Sequence, residues 1–337
     1  MAKEAQNTHE RLAMHLQRDK SFISKQDGLK IVYDVYMPDV PNACLVQIAH
    51  GMVEHKGRYE WVGSYLANQG YIVVINDHRG HGKSIDCLHP WGEMNGLDLQ
   101  DSTESSGFLK AIEDMHQLTL LVKESFKPQK YVLLGHSMGS LLARGYVRTY
   151  RHELHALILS GSPAYNPLVR VGAGLARILR LCRLESLGQK WINTLSFGGF
   201  NAPFLRNEGE DNAKGGFAWL CRDKAVVEAY RADRACQFVF SLGSFIGLFN
   251  GMVLVCKPTQ GGGLPLFIIS GEQDSCGGFG VGVREIATQY KQWGFCVNLK
   301  LYDGARHEIL NEINKEEVIT DIIAFINTAL EIPASIF

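Results

Sequence analysis

Gly135-His136-Ser137-Met138-Gly139 is a G-x-S-x-G pentapeptide, the spacing of a serine nucleophile carried on a sharp turn. The apolar run Tyr131–His136 before it reads as a buried strand, and Met138–Tyr150 after it as a helix. Both local conditions for a nucleophile elbow are therefore met. Residues two before and two after the serine must be small in such a turn, hence Gly135 and Gly139. The turn lifts the Ser137 hydroxyl above the sheet edge and aims the next helix N-terminus at a developing oxyanion. A serine hydroxyl needs a base, and the base an orienting acid, in the chain order Ser, Asp or Glu, His. Only His152, His155 and His307 follow Ser137. The first two flank a helix–strand junction and read as surface residues. His307 lies in Asp303-Gly304-Ala305-Arg306-His307-Glu308, the loop after the last strand, where a base would be delivered. Asp274 follows the strand Pro265–Ser270 by four residues and is the expected acid. Its rival, Asp303, shares the loop of His307 and would have to fold back upon it. The expected triad is Ser137, Asp274 and His307.

The second oxyanion donor is expected in the loop after the third strand, His50-Gly51-Met52-Val53-Glu54-His55. Gly51 lets the backbone turn, and the Met52 N–H is the donor beside that of Met138. Glu54 and Arg58 either brace this loop, meet a polar head group, or form a solvated ion pair. Asp77-His78-Arg79-Gly80-His81-Gly82 mixes Asp and His but lacks the H-E-x-x-H face of a metal site. It reads as a loop supporting the triad and the oxyanion loop. The glycines between Gly277 and Gly282 do not make a dinucleotide fingerprint. Neither a metal nor an organic cofactor is expected.

Alternating strands and helices must position these residues, which points to α/β architecture. Strands are expected at Ser21–Lys25 and Lys30–Tyr36, joined through Asp27-Gly28, and then at Cys44–His50, Tyr71–Asn76, Tyr131–His136 and His155–Ser160. Helices are expected over Tyr59–Gln69, 101–126 and Met138–Tyr150. The alternation stops between Pro163 and Gly263, where helical periodicities occur without a convincing strand. It resumes with Pro265–Ser270, a helix at Val281–Trp293, the strand Cys296–Tyr302 and a helix over Lys315–Leu330. The expected organisation is a sheet domain in two parts, 1–162 and 264–337, interrupted by a helical cap at 163–263.

Composition narrows the functional class. Of 337 residues, 46% are hydrophobic and 20% charged, a globular balance. Lys+Arg is 34 against 35 for Asp+Glu, without the basic footprint of a nucleic-acid binder. The eight cysteines stand singly, as free thiols would in a reducing compartment. The charged N-terminus has no apolar h-region, so a cytoplasmic protein is expected. Ala235–Cys256 runs 22 residues without a charge. A membrane span there would separate the two halves of the triad, so cap helices facing the active site are expected instead. Asn166–Gly188 carries Arg170, Arg177, Arg180 and Arg183 among Leu, Ile and Val. It reads as one cap helix with a solvated Arg face, or as a surface for transient membrane contact.

His50-Gly51-x-x-Glu54-His55-x-x-Arg58-Tyr59, Asn76-Asp77-His78-Arg79-Gly80-His81-Gly82-Lys83-Ser84, GHSMGS and GARHEILNE together resemble the monoglyceride lipase and bacterial lysophospholipase-like α/β-hydrolases, grouped with the S33 serine aminopeptidases. The resemblance runs from about residue 20 over nearly the whole chain, and into the insertion at FAWLCRDKAVVEAY. It implies an α/β-hydrolase fold, a mostly parallel sheet flanked by helices with a helical cap. It also implies serine hydrolysis of a lipid-like ester such as a monoacylglycerol or lysophospholipid. A peptidase is the alternative, and a silent hydrolase fold used for ligand binding a remoter one. Ser275-Cys276 departs from the Pro-Val usual after the acid, which puts the local turn in question.

Overall fold

The computed structural model describes residues 14–97, 106–204 and 216–331. The start of the chain, read above as lacking an h-region, lies outside them as far as residue 13. So do residues 101–105 of the expected second helix. Eight strands form one sheet: β1 (Met14–Ile23), β2 (Lys30–Pro38), β3 (Cys44–Ala49), β4 (Ile72–Asn76), β5 (Lys130–His136), β6 (Ala156–Ser160), β7 (Pro265–Gly271) and β8 (Cys296–Tyr302). Their order is β1-β2-β4-β3-β5-β6-β7-β8. β2 runs antiparallel to both neighbours, and every other pairing from β4 to β8 is parallel.

The central strands are apolar on both faces because helices cover both faces. Val46, Val132, Leu134 and Ile158 point toward α1 (Glu60–Ala67) and α9 (Lys315–Glu331). Leu45, Leu133, Leu157 and Leu159 point the other way, toward α2 (Ser106–Phe126), α3 (Met138–Tyr150) and α8 (Val281–Gln292). Each of these side chains is fully buried, and burying one is worth about 1.5–3 kcal/mol. This is the α/β-hydrolase fold.

β1 begins at Met14, well before the expected Ser21. It is an edge strand with charged residues on both faces, so it shows no alternation to read. Its register against β2 shifts between Gln17 and Lys20, where Asp19 takes a left-handed φ of 55° and donates its N–H to Asp34 Oδ1.

Between β6 and β7 the described residues form α4 (Leu168–Leu181), α5 (Glu185–Phe197), α6 (Lys224–Ala232) and α7 (Leu242–Val255). The single helix expected over Asn166–Gly188 is thus two. Arg183 sits at φ 58°, with Leu184 N–H donating to Leu179 O and Arg183 N–H to Arg180 O, which is a Schellman stop. The usual glycine of that stop is absent, so sequence reading runs through it. The arginines also do not share one face. Arg177 turns inward to Asn250 Oδ1, while Arg170 and Arg180 are exposed.

α7 has 14 residues, and no helix among the described residues is long and apolar enough to cross a membrane. Gly243, Gly247 and Gly251 stand four residues apart on α7, and the face they form meets Asn95 and Phe108 rather than the active site that the helix was expected to face. A Cβ on Gly251 would stand 2.7 Å from the Phe108 ring of α2, and one on Gly243 would stand 2.7 Å from Asn95 Nδ2. The stripe lets α7 seat against the core as well as against α4.

Candidate active site

β5 ends at His136 and α3 starts at Met138, leaving Ser137 alone to make the turn. Its φ of 52° and ψ of −117° lie outside the regions that L-residues ordinarily occupy. The Ser137 N–H donates to Ser160 O at 2.9 Å, which pins the turn to β6. A Cβ on Gly139 would stand 2.0 Å from Ala49 O, and one on Gly135 2.4 Å from Gly139 O. Both contacts are with backbone that cannot give way, so the elbow closes only with glycine at these two positions.

Ser137 Oγ lies 2.9 Å from His307 Nε2. His307 Nδ1 lies 3.0 and 3.1 Å from the two oxygens of Asp274. Asp274 also accepts from the N–H groups of Cys276 and Gly277, at 2.9 and 3.0 Å, and from the Ser270 hydroxyl at 3.0 Å. The turn therefore forms with Ser275-Cys276 in place. Asp274 and His307 are buried, whereas Asp303 is exposed in the turn after β8. His152 is exposed too, and His155 Nδ1 accepts from the Tyr131 N–H at 3.2 Å.

The charges in this array follow from its contacts. Burial pushes the His307 pKa down, but the Asp274 charge and hydrogen bond outweigh it, and the net shift is upward. Burial pushes Asp274 up, yet His307 and the donors around it hold its carboxyl below the ordinary range. With Asp274 ionised and bound to Nδ1–H, the neutral imidazole presents Nε2 as an acceptor for the Ser137 proton.

The loop after β3 packs directly on Ser137: a Cβ on Gly51 would stand 3.2 Å from Ser137 Cβ. His50 donates from Nδ1 to Gly51 O at 2.7 Å and accepts the His78 N–H on Nε2 at 2.9 Å, which sets its tautomer. Among the described residues, the N–H groups of Met52 and Met138 donate to no protein acceptor. Orphan donors at a helix start and a tight loop suit an oxyanion.

Glu54 accepts from the Gly51 N–H, from Tyr59 Oη at 2.8 Å and from Arg58 Nη1 at 2.7 Å. Arg58 then reaches across to Glu308, beside the histidine, with two bonds of 2.7 Å. The guanidinium thus joins the loop of Met52 to the loop of His307 and is engaged by carboxylates rather than open to a head group. Glu308 takes the full fork, and despite burial Arg58 holds its pKa down to about 2. Glu54 takes one arm of it, and burial leaves its pKa raised. Residues of the insertion close the site from above: the Trp219 ring stands 4.9 Å from that of His307, and Tyr230 donates to Val53 O at 3.0 Å.

Sequence reasoning missed Glu308, Tyr59, Trp219 and Tyr230. The first two stand inside the motifs GARHEILNE and E-H-x-x-R-Y, so adjacency to His307 and Arg58 could have flagged them. The other two stand inside FAWLCRDKAVVEAY, where the resemblance enters the insertion, but nothing in that segment marks which of its residues meet the site. His55, Asp233 and Cys236 approach one another within 4.8 Å, as do Asp274, Cys276 and His307. In the first group His55 Nε2 is bound to Asp233 at 2.8 Å, and the Arg58 cation acts on that same carboxylate. In the second, both Asp274 oxygens already accept hydrogen bonds. Neither set offers an uncommitted cage for a cation.

Residues 41–314 match the family described as serine aminopeptidase, S33. The chain is 29% identical over 308 residues to a monoacylglycerol lipase of Mycolicibacterium smegmatis, across 89% of this chain and 93% of that one. It is 24% identical to the monoglyceride lipase of Mus musculus, across 92% of this chain and 90% of that one. Among solved structures it resembles a thermostable carboxyl esterase from Bacillus coagulans in complex with glycerol. That likeness has a TM-score of 0.78 at 27% identity and covers 94% of this chain and 99% of that one.

Proposed function

Because this chain belongs to the serine aminopeptidase S33 family and is an ester-hydrolysing serine hydrolase, we propose that it cleaves lipid-like monoesters, monoacylglycerols or lysophospholipids, through Ser137, His307 and Asp274. The observation that carries this reading is the unbroken hydrogen-bond path from Ser137 Oγ through His307 to the buried Asp274. His307 Nε2 takes the serine proton as Oγ attacks the ester carbonyl. The N–H groups of Met52 and Met138 hold the tetrahedral oxyanion, and His307 returns the proton to the leaving alcohol. Water then repeats the sequence on the acyl-enzyme. Gly135 and Gly139 permit the elbow, His50 and Gly51 shape the oxyanion loop, and Glu54 and Arg58 brace it. No cofactor enters this scheme.

The lipid substrate class is supported by the relatives named above and by the insertion. Its outer surface exposes Leu168, Val171, Ile178, Leu181, Trp191 and Leu195, with Leu181 at 83% and Leu195 at 72%. Arg170, Arg180 and Lys190 are exposed beside them. Apolar side chains interleaved with cations suit transient contact with an anionic lipid surface, from which a sparingly soluble ester would be drawn. The protein would work in the reducing cytoplasm, where its eight free cysteines remain thiols. A peptidase recognising an α-ammonium group would need a free carboxylate, but Glu54 and Glu308 are both committed to Arg58.

A fluorophosphonate probe should label the wild type and leave Ser137→Ala unlabelled although folded. Across a monoglyceride, a lysophospholipid and an aminoacyl amide, kcat/KM should be greatest for one of the two lipids. Full labelling of Ser137→Ala would remove the nucleophile assignment, and faster cleavage of the amide would remove the substrate class.

A further inference from the structure

Residues 303–314, which carry His307, form neither helix nor strand. No regular ladder fixes the base, so something else must. Trp219–Arg222 of the insertion lie alongside and bond to this loop through the main chain. The His307 N–H donates to Trp219 O at 3.4 Å, and the Glu308 N–H to Leu220 O at 2.7 Å. Arg306 adds donors from Nη1 to Ala218 O at 2.6 Å and Cys221 O at 3.4 Å.

One carboxylate ties the two segments together. Glu312 is fully buried. Its Oε1 accepts the N–H of Arg306 at 2.9 Å and that of Arg222 at 3.1 Å. Its Oε2 accepts Arg222 Nε at 2.9 Å and the Ile313 N–H at 3.0 Å. Arg222 also donates from Nη2 to Asn314 Oδ1 at 2.9 Å. A buried carboxylate with four donors is stable only while all four stay in place, so displacing either segment strands a charge.

We propose that Glu312, with Arg222 as its partner from the insertion, is a positioning residue that holds His307 where Nε2 reaches Ser137. This rests on the reading of His307 as the base. The insertion is then a working part of the proton-transfer machinery at this point as well as a cover over it. The loop of the base is completed by residues that precede it by more than eighty positions in the chain.

The Trp219–His307 ring contact provides a readout that needs no turnover. An imidazolium quenches a neighbouring indole, so wild-type emission should fall as His307 takes a proton on acidification. Trp219→Phe should lack this step, which identifies its source among the five tryptophans. In full-length Arg222→Ala the step should shrink or shift in pH. The same variant should lose about 10–100-fold in kcat on a p-nitrophenyl acetate ester, with KM within about twofold, as expected for a displacement of an ångström or less at a reacting group. Glu312→Gln keeps an acceptor oxygen for the Arg306 and Arg222 N–H groups and should lose less than Glu312→Ala. If Glu312→Ala does not fold, Arg222→Ala decides, because that side chain is 27% exposed and its removal leaves the Arg306–Glu312 bond intact. Wild-type kcat together with an unaltered emission step in Arg222→Ala would overturn the proposal. A wild type that the fluorophosphonate probe does not label would instead overturn the underlying triad reading.

Discussion

Arg58→Met would withdraw the one cation that two buried carboxylates share. The guanidinium lies 2.7 Å from oxygens of both Glu54 and Glu308, and the three side chains are 11, 4 and 5% exposed. Removing one partner of such a buried arrangement costs about 3–5 kcal/mol, out of a total stability of about 5–15 kcal/mol. The pH dependence gives an independent scale. Glu308 is held at about 2 from an ordinary 4.5, a depression worth about 3 kcal/mol. Because the folded pKa lies below the unfolded one, this stabilisation is present in full above pH 4.5 and is lost as the pH falls toward 2. Urea unfolding at pH 7 should therefore show the variant weaker by about 3–5 kcal/mol, and the deficit should narrow at pH 3. Adding Glu54→Gln and Glu308→Gln should recover most of the loss, since no buried charge then lacks a partner. kcat should fall as well, because Glu54 holds the Gly51 N–H and with it the oxyanion loop. A deficit under about 1 kcal/mol at pH 7, or one that stays constant down to pH 3, would refute the reasoning.

Asp274→Asn should lower kcat by orders of magnitude and move the acid limb of kcat/KM down in pH, since Asp274 raises the His307 pKa above 6.5; Asp303→Asn should leave both near wild type. Met52→Ala keeps the main-chain donor and should cost less than about tenfold in kcat, whereas Met52→Pro should cost about 10²–10³. Equal losses would assign the effect to the side chain. His50, His78, His81 and His136 are all buried with lowered pKa values, His78 and His136 to about 3 and His81 to about 4. They stay neutral when folded and charge when unfolded, so stability should fall as the pH drops below about 6.5, by up to about 1.4 kcal/mol per pH unit for each histidine. Proton uptake on unfolding at pH 5.5, measured by calorimetry in two buffers, checks this, and no uptake would contradict it.

The fold was legible wherever burial imposed a pattern. Tyr131–His136, Met138–Tyr150 and Cys296–Tyr302 read almost to the residue, because apolar runs and glycines mark their limits. β1 hid because an edge strand with charges on both faces has no period. The α4–α5 break hid because an arginine occupies a position that glycine usually fills. At the site, Ser137, Asp274 and His307 could be proposed from chain order alone, since each follows a recognisable strand. Their supports could not. Trp219, Arg222 and Glu312 meet only through tertiary contact, and the residues of the insertion among them follow no periodicity that encodes it. The orientation of the helix within Ala235–Cys256 was hidden for a related reason: glycines four residues apart show that something approaches closely, and Phe108, the residue that approaches Gly251, lies on a helix far away in sequence.

The irregularity in β1 bears on how copies of this protein treat one another. An open sheet ends in a row of unpaired N–H and C=O groups that can template another strand. Here the register slip between Gln17 and Lys20, with Asp19 turned left-handed between them, interrupts that row midway along the strand. Arg18 and Lys20 add repulsion toward an identical edge, and Lys56 and Lys83 clamp Asp19 in its turned state. A second chain therefore meets, among the described residues, two short runs on this rim, Met14–Gln17 and Lys20–Ile23, rather than one continuous edge. Protection against strand-swapped or fibrillar growth is built into this edge, and regularising Asp19 and its flanks into plain strand would strip it away while leaving the reaction centre on the far side of β2 untouched.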